Sequence, residues 1–320
     1  MTRVKFILGA IIVVISLTLF KYWTPDIPRE TLVNKYATGA SDFIDLPSGA
    51  RAHYRIQGND EGPILLLLHG SNASLHTWEG WVDILEDDYL VVSVDLPGHG
   101  LTGITPSDDY TYSGMAAFIH EFTTTLSFQK YYLVGNSMGG AVSMQYALTY
   151  PNEVMGLILI DSAGINTPAS ALNKVDHPLA FKLAGNWYSS WIVEYITPWE
   201  IAAEGLSKSM ADTTYLNETL IDRYWELALH PGNRYATNKR FKWYRNNRQE
   251  LAIENLNVPT LIMWGEQDVV IPLDVGEELH KRIDNSKLKI FKDLGHIPME
   301  ENPKKTAKAA DNFLATIHKQ

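Results

Sequence analysis

The segment Gly135-Asn136-Ser137-Met138-Gly139-Gly140 sets a serine hydroxyl inside a run of small residues that can turn tightly. Apolar Tyr131-Tyr132-Leu133-Val134 precedes it, and Ala141-Val142-Ser143-Met144-Gln145-Tyr146-Ala147-Leu148 follows. That pattern predicts a strand, a sharp turn and a helix. Such an elbow strains the serine backbone and lifts its hydroxyl above a sheet, while the flanking glycines let strand and helix approach. The helix that starts there also aims backbone N–H groups and a positive dipole end at charge developing on a substrate oxygen. Ser137 is therefore expected to act as a nucleophile.

A serine hydroxyl needs a base, and His296 in Leu294-Gly295-His296-Ile297-Pro298 follows the strand-like Lys287 to Phe291 near the chain's end. In elbow hydrolases the acid lies between serine and histidine in chain order, which selects Asp268 in Trp264-Gly265-Glu266-Gln267-Asp268. Asp161, at the end of Leu157 to Ile160, is the rival acid, with Glu266 and Asp274 behind it. Asp95, in Asp95-Leu96-Pro97-Gly98-His99-Gly100, is expected to stabilise a turn together with His99. An oxyanion needs two donors. The N–H groups of Met138 and of Ser71, in His69-Gly70-Ser71-Asn72-Ala73, are the candidates, with Asn72 as the alternative to Ser71. His69 is expected to shape its loop rather than bind a metal.

Seven strand-like segments must position these groups: Ala52 to Gln57, Ile64 to His69, Leu90 to Asp95, Lys130 to Val134, Gly156 to Asp161, Thr260 to Trp264 and Lys287 to Phe291. Continuous apolar runs among them suit parallel strands covered on both faces, and their alternation with helical stretches predicts an α/β sheet. Between Asp161 and Pro259 the rhythm breaks. That interval is rich in Trp, Tyr and Phe from Trp187 to Tyr244 and has no buried-strand run. It reads as a mainly helical cap, about residues 164–254, over the carboxyl edge of the sheet. Most of its aromatics are expected to form the cap's own core, and together an apolar pocket roof.

The 320 residues are 45% apolar and 20% charged, an ordinary globular composition. A net charge of −10 without clustered Lys and Arg argues against nucleic-acid binding. Cysteine is absent, which excludes disulfides, thiolate zinc sites and a thiol nucleophile. There is no metal-ligand spacing, phosphate loop or dinucleotide fingerprint, so neither metal nor cofactor is expected.

Arg3 and Lys5 precede an uncharged apolar run from Phe6 to Phe20, followed by Lys21, Tyr22 and Trp23. Residues 1–23 are expected to be an N-terminal membrane anchor with the remaining chain outside the cytoplasm. A cleaved signal segment that releases a secreted protein is the main competitor, and a buried helix the third reading. Residues 24–40, with Pro25 and Pro28, read as a spacer before a catalytic domain over 41–320.

In combination, His69-Gly70 with Trp78, Asp95 to Gly100, Gly135 to Gly140, Trp264 to Asp268 and Gly295-His296-Ile297-Pro298 with Glu301-Asn302-Pro303 resemble the α/β-hydrolase superfamily, in its serine esterase and lipase-like branch. The resemblance implies a mostly parallel eight-stranded sheet flanked by helices, with the cap inserted after the strand ending at Asp161. It also implies cleavage of a small-molecule ester with an apolar part through an acyl-enzyme. Superfamily members that place Asp at the elbow, the haloalkane dehalogenases and epoxide hydrolases, differ from this chain at Ser137. The elbow is also similar to that of carbon–carbon hydrolases of ring-cleavage products, which carry Trp where this chain has Ile297. Perhydrolases share the triad as well, and a non-catalytic ligand-binding protein of this fold is the reading from a different class.

Overall fold

The computed structural model describes residues 20–247 and 250–317. Its centre is set by strands with no polar face. In Ile64–Leu68, Leu65 and Leu67 enter one apolar layer while Leu66 and Leu68 enter the other, as the two-residue period of a strand requires. Eight strands, β1 (Ser41–Asp45), β2 (Arg51–Gly58), β3 (Ile64–Leu68), β4 (Leu90–Val94), β5 (Tyr131–Asn136), β6 (Val154–Ile160), β7 (Thr260–Gly265) and β8 (Ser286–Phe291), form one sheet in the order β1-β2-β4-β3-β5-β6-β7-β8. Only the β1–β2 and β2–β4 pairings are antiparallel.

The seven segments expected from sequence all appear, with ends shifted by a residue or two. β1 is the strand that patterning did not reveal. It lies at the edge, pairs on one side only, and carries no buried residue, so it has little apolar signal to display.

Helices α1 (Arg29–Tyr36), α2 (Glu79–Leu85), α3 (Tyr112–Thr125) and α4 (Met138–Thr149) precede the insertion, and α10 (Leu273–Arg282), α11 (Pro298–Glu301) and α12 (Pro303–Ile317) follow it. Helices α3, α4 and α10 cover one face of the sheet, where Met115, Phe122, Val142 and Leu279 join Trp264. Helices α2 and α12 cover the other, around Trp81 and Phe313. Between β6 and β7 stand five α-helices, α5 (Leu179–Leu183), α6 (Ser190–Tyr195), α7 (Trp199–Ser209), α8 (Glu218–Ala228) and α9 (Asn233–Asn246).

The aromatics of this insertion divide. Phe241 and Tyr244 pack edge to face inside it, and Tyr224 and Trp225 line a pocket. Trp187, Tyr188, Trp191, Tyr195 and Tyr215 are exposed instead, which corrects the expectation that most of them form its core.

Within residues 24–40, expected as a spacer, α1 buries Leu32 and Tyr36 against Leu101 and Leu227. Lys35 Nζ donates to Glu226, 2.7 Å away on α8, so this segment is fastened to the insertion. The apolar run before Phe20 lies outside the described residues. Among the described residues no helix is long and apolar enough to cross a membrane.

Asp95, just beyond β4, is fully buried and organises the loops on this edge of the sheet. Its carboxylate accepts from Leu75 N–H at 2.7 Å, Leu101 N–H at 2.7 Å and His53 Nδ1 at 2.6 Å. Burial alone would raise its pKa, but the charge and hydrogen bond of His53, with His69 and His76 nearby, hold the carboxyl well below its ordinary range. The expected partner was His99. That imidazole faces the insertion instead, its Nδ1 donating to Pro97 O at 3.0 Å and its Nε2 accepting from Arg240 Nη1 at 2.6 Å.

A pKa below the unfolded value gives stability that is present above that unfolded value and lost as pH falls through the folded one. Asp95→Ala leaves two buried N–H donors and an imidazole without their acceptor. It is expected to cost about 3 kcal/mol or more at neutral pH, read by denaturant unfolding. The gap from wild type should narrow as the pH is lowered.

Candidate active site

The elbow is built by packing that excludes side chains. A Cβ at Gly139 would lie 2.2 Å from Leu68 O, and one at Gly135 would lie 2.3 Å from Gly139 O. A Cβ at Gly140 would strike Ser162 Oγ at 2.1 Å. Helix α4 therefore starts hard against β3 and β5, and Ser137 between them is held at φ 52° and ψ −116°. A non-glycine residue adopts that conformation only where its surroundings impose it, and it is a form of strain concentrated at functional sites.

Three separate chain segments meet above this turn. Ser137 Oγ lies 3.0 Å from His296 Nε2, and His296 Nδ1 lies 2.6 Å from Asp268 Oδ2. The other oxygen of Asp268 accepts from Val270 N–H at 2.7 Å and Ile271 N–H at 3.0 Å, which fixes the carboxylate's orientation. Asp268, its side chain wholly buried, presents Oδ2 to the imidazole, so the neutral ring has its proton on Nδ1 and a lone pair on Nε2 facing the serine. The sequence-expected Ser137, Asp268 and His296 are thus brought together. Glu266 and Asp274 are not in this chain of hydrogen bonds.

The rival acid, Asp161, stands beside it. Its φ is 45°, its Oδ1 accepts from Gly265 N–H at 2.9 Å, and it is fully buried. Asp161, Asp268 and His296 present polar atoms that all lie within 4.8 Å of one another. Burial first, and then the neighbouring Asp268 charge, push the Asp161 carboxyl well above its ordinary pKa. Two adjacent buried carboxyls cannot both ionise cheaply, and the upward shift falls on Asp161. Two carboxyls and an imidazole could in principle bind a cation, but the hydrogen bond between His296 and Asp268 occupies the ring nitrogen and carboxylate oxygen that would face it.

The loop after β3 lies against the elbow. A Cβ added at Gly70 would be 2.7 Å from Asn136 Oδ1 and 3.2 Å from Ser137 Cβ. His69 shapes this loop as expected, its Nδ1 donating to Gly70 O at 2.7 Å and its Nε2 accepting from Leu96 N–H at 3.0 Å. Burial lowers its pKa, which matches an accepting nitrogen. Asn72 adopts φ 59° and takes a hydrogen bond from Thr237 on α9.

Three supports escaped the sequence reading. Asn136 Nδ2 donates to His296 O at 3.0 Å and Ile160 O at 3.2 Å, tying the elbow to the histidine loop. Ser209 O, at the end of α7, accepts from His296 N–H at 2.8 Å. Glu301, 1% exposed, accepts from Gly295 N–H at 2.6 Å and from Ala211 and Asp212 N–H at 2.7 and 3.0 Å. Glu301 belonged to a recognisable motif, but its role depends on backbone that is remote in sequence. Ser137, Asp268 and His296 are all buried and do not themselves line the neighbouring pocket of about 580 Å³, part of it open to solvent, which Ser71, Asn72 and Ser209 connect to them. Ser71 and Asn72 form one wall, and Phe181, Ile201, Leu206 and Trp225 much of the rest.

A carboxyl whose folded pKa exceeds its unfolded value contributes fully below the unfolded pKa and loses that contribution as pH rises toward the folded one. Each unit of elevation removes about 1.4 kcal/mol at neutral pH. Asp161→Asn copies the protonated form, keeping an acceptor for Gly265. Its unfolding free energy is expected to equal or exceed that of wild type at pH 7 and to decline less between pH 4 and 7. A steeper decline in the variant would show that Asp161 is ionised.

A family model described as alpha/beta hydrolase fold matches residues 63–303. The monoacylglycerol lipase ABHD6 of Mus musculus is 29% identical over 266 residues, covering 80% of this chain and 76% of that protein. Lipase 3 of a Moraxella species is 28% identical over 291 residues, covering 85% of each. The crystal structure of a bacterial membrane phospholipase A superposes with a TM-score of 0.75 at 24% identity, covering 100% of both chains. The sheet order, the strained elbow and the matched residues agree: this chain is a hydrolase and belongs to the α/β-hydrolase fold family.

Proposed function

We propose that this protein is a serine hydrolase that cleaves carboxylic esters with an apolar acyl part, and that residues 1–23 anchor it in a membrane. The observation that carries the first reading is the run from Ser137 Oγ through His296 to Asp268, at 3.0 and 2.6 Å, next to a pocket with a mainly apolar lining. His296 takes the Ser137 proton as Oγ attacks the ester carbon, and Asp268 stabilises the imidazolium that results. The N–H groups of Met138 and Ser71 donate to the carbonyl oxygen and stabilise the negative charge that collects on it. His296 then hands its proton to the leaving alcohol, and water, activated by the same ring, releases the acyl group from Ser137.

Pocket composition supports an apolar acyl chain, since burying methylenes against Ile201, Leu206 and Trp225 favours binding by about 0.8 kcal/mol each. The names of the relatives, monoacylglycerol lipase and lipase, support the same class. Ile297 also favours esters over carbon–carbon cleavage. Its side chain packs into the core with Leu294 and Met299, so the position after His296 presents no indole to a substrate.

A fluorophosphonate probe is expected to label the full chain and to leave Ser137→Ala unlabelled. Turnover of a long-chain nitrophenyl ester should fall about 10⁴-fold or more in that variant. Equal labelling of the two would refute the assignment. Removal of residues 1–23 is expected to shift the protein from the membrane pellet to the supernatant, read by ultracentrifugation at high salt.

A further inference from the structure

Four of the cap's exposed aromatics cluster around α6, with Tyr215 and Tyr235 exposed elsewhere. Trp187, Tyr188, Trp191 and Tyr195 lie on α6 or just before it, and Trp187 is 91% exposed. Residues 184–199 hold a single charged side chain, Glu194, in a chain that is 20% charged. Even that carboxylate is turned toward the cap, where it accepts from Asn238 Nδ2 at 3.0 Å. An apolar surface of this kind facing water carries a standing cost, and proteins retain one where something covers it.

The chain's own N-terminal run ends beside it. Phe20, Tyr22 and Trp23 are exposed, and Trp23 stacks on Tyr195 with ring centroids 5.0 Å apart and planes 10° from parallel. Thr24 N–H donates to Tyr195 O at 2.8 Å, and Thr197 N–H donates to Thr24 Oγ1 at 3.2 Å. Arg234 holds Asp26 at 2.7 Å, and Ile27 N–H donates to Leu229 O at 2.9 Å. The point where the apolar run gives way to the folded chain is therefore clamped to the end of α6 through Trp23 and Thr24, and to α9 and the residue following α8 through Asp26 and Ile27. A bilayer that receives residues 6–20 meets α6 at its surface. Trp and Tyr, apolar in body and polar at the tip, are the side chains that settle at that depth.

We propose that the Trp187, Tyr188, Trp191 and Tyr195 face of the cap is a docking surface for the interfacial region of a phospholipid bilayer. It seats the cap on the same membrane that the N-terminal run enters. The geometry also links this surface to the pocket. Thr197, which joins the clamp, lines the pocket, and its carbonyl accepts from Nε1 of Trp225, another lining residue, at 2.7 Å. A lipid ester can then pass from the interface to the pocket without crossing bulk water. That last step rests on the ester-hydrolase reading, and the docking itself rests on the N-terminal anchor proposed above.

Because the chain has no cysteine, a fluorophore can be placed at one position in the full-length protein. Trp187→Cys and Lys289→Cys, the latter exposed on β8, are labelled and reconstituted in dioleoylphosphatidylcholine vesicles. A doxyl-bearing lipid is expected to quench the label at 187 at least several-fold more than at 289, with the reverse order for aqueous iodide. Equal quenching at the two sites overturns the proposal. So does protection of 187 that depends on protein density rather than lipid, which identifies a second copy as the cover.

In a second arm, the Trp187→Ser/Trp191→Ser double variant is expected to hydrolyse monooleoylglycerol in those vesicles roughly five- to tenfold more slowly than wild type. A water-soluble short-chain ester should be cleaved at the wild-type rate. Equal loss on both esters contradicts docking. If wild type cleaves neither, the ester reading fails and the quenching result alone decides the docking.

Discussion

The close approach of β3, β5 and α4 at the elbow is the constraint from which the rest of the site follows. Glycine at 135 and 139 lets backbone meet backbone, and at 140 admits the Ser162 side chain, where any Cβ would lie within 2.1 to 2.3 Å of another atom. The outcome is a serine at φ 52° whose hydroxyl cannot fall back against its own strand. The strain costs of order 1–3 kcal/mol, which the fully buried leucines of β3 and their neighbours must offset. A rigid elbow also gives the imidazole a fixed target, so a 3.0 Å contact can be kept without searching.

The histidine loop is held differently, by parts of the protein remote from one another in sequence. Asn136 fastens it to the elbow, Ser209 fastens it to the end of α7, and Glu301 gathers Gly295 together with Ala211 and Asp212. Burial raises the Glu301 pKa even though three N–H donors favour its charge. The insertion between β6 and β7 thus lines the pocket and is also joined to the histidine loop, so a shift of α7 would carry His296 with it. Asp161 adds a second constraint to the same region, because burial beside Asp268 pushes its carboxyl toward the neutral form.

Much of the chemistry was legible in the sequence because it is local. The turn at Ser137, the loop position of His296 and the order of serine, acid and histidine are set by short-range patterns, and continuous apolar runs mark central strands without ambiguity. Asp268 and Asp161 were harder to separate, since each follows a strand end. Tertiary contacts separate them: Val270 and Ile271 N–H hold the first against the imidazole, while burial first and then the neighbouring carboxylate raises the pKa of the second.

What the sequence determined by itself, then, was the set of reactive groups and the sheet that carries them, because turn chemistry and hydrophobic period act over a few residues. Tertiary structure decided the partners. Asp95 binds His53 rather than the nearby His99 because β2 lies against β4, while Arg240 of the cap claims the other imidazole. The cap's aromatics split into core, pocket lining and an uncovered face for the same reason: which side of a short helix is buried depends on elements far away in the chain. Ser137 had its chemistry in a six-residue motif, but the depth at which it sits and the groups that hold its base came from folding.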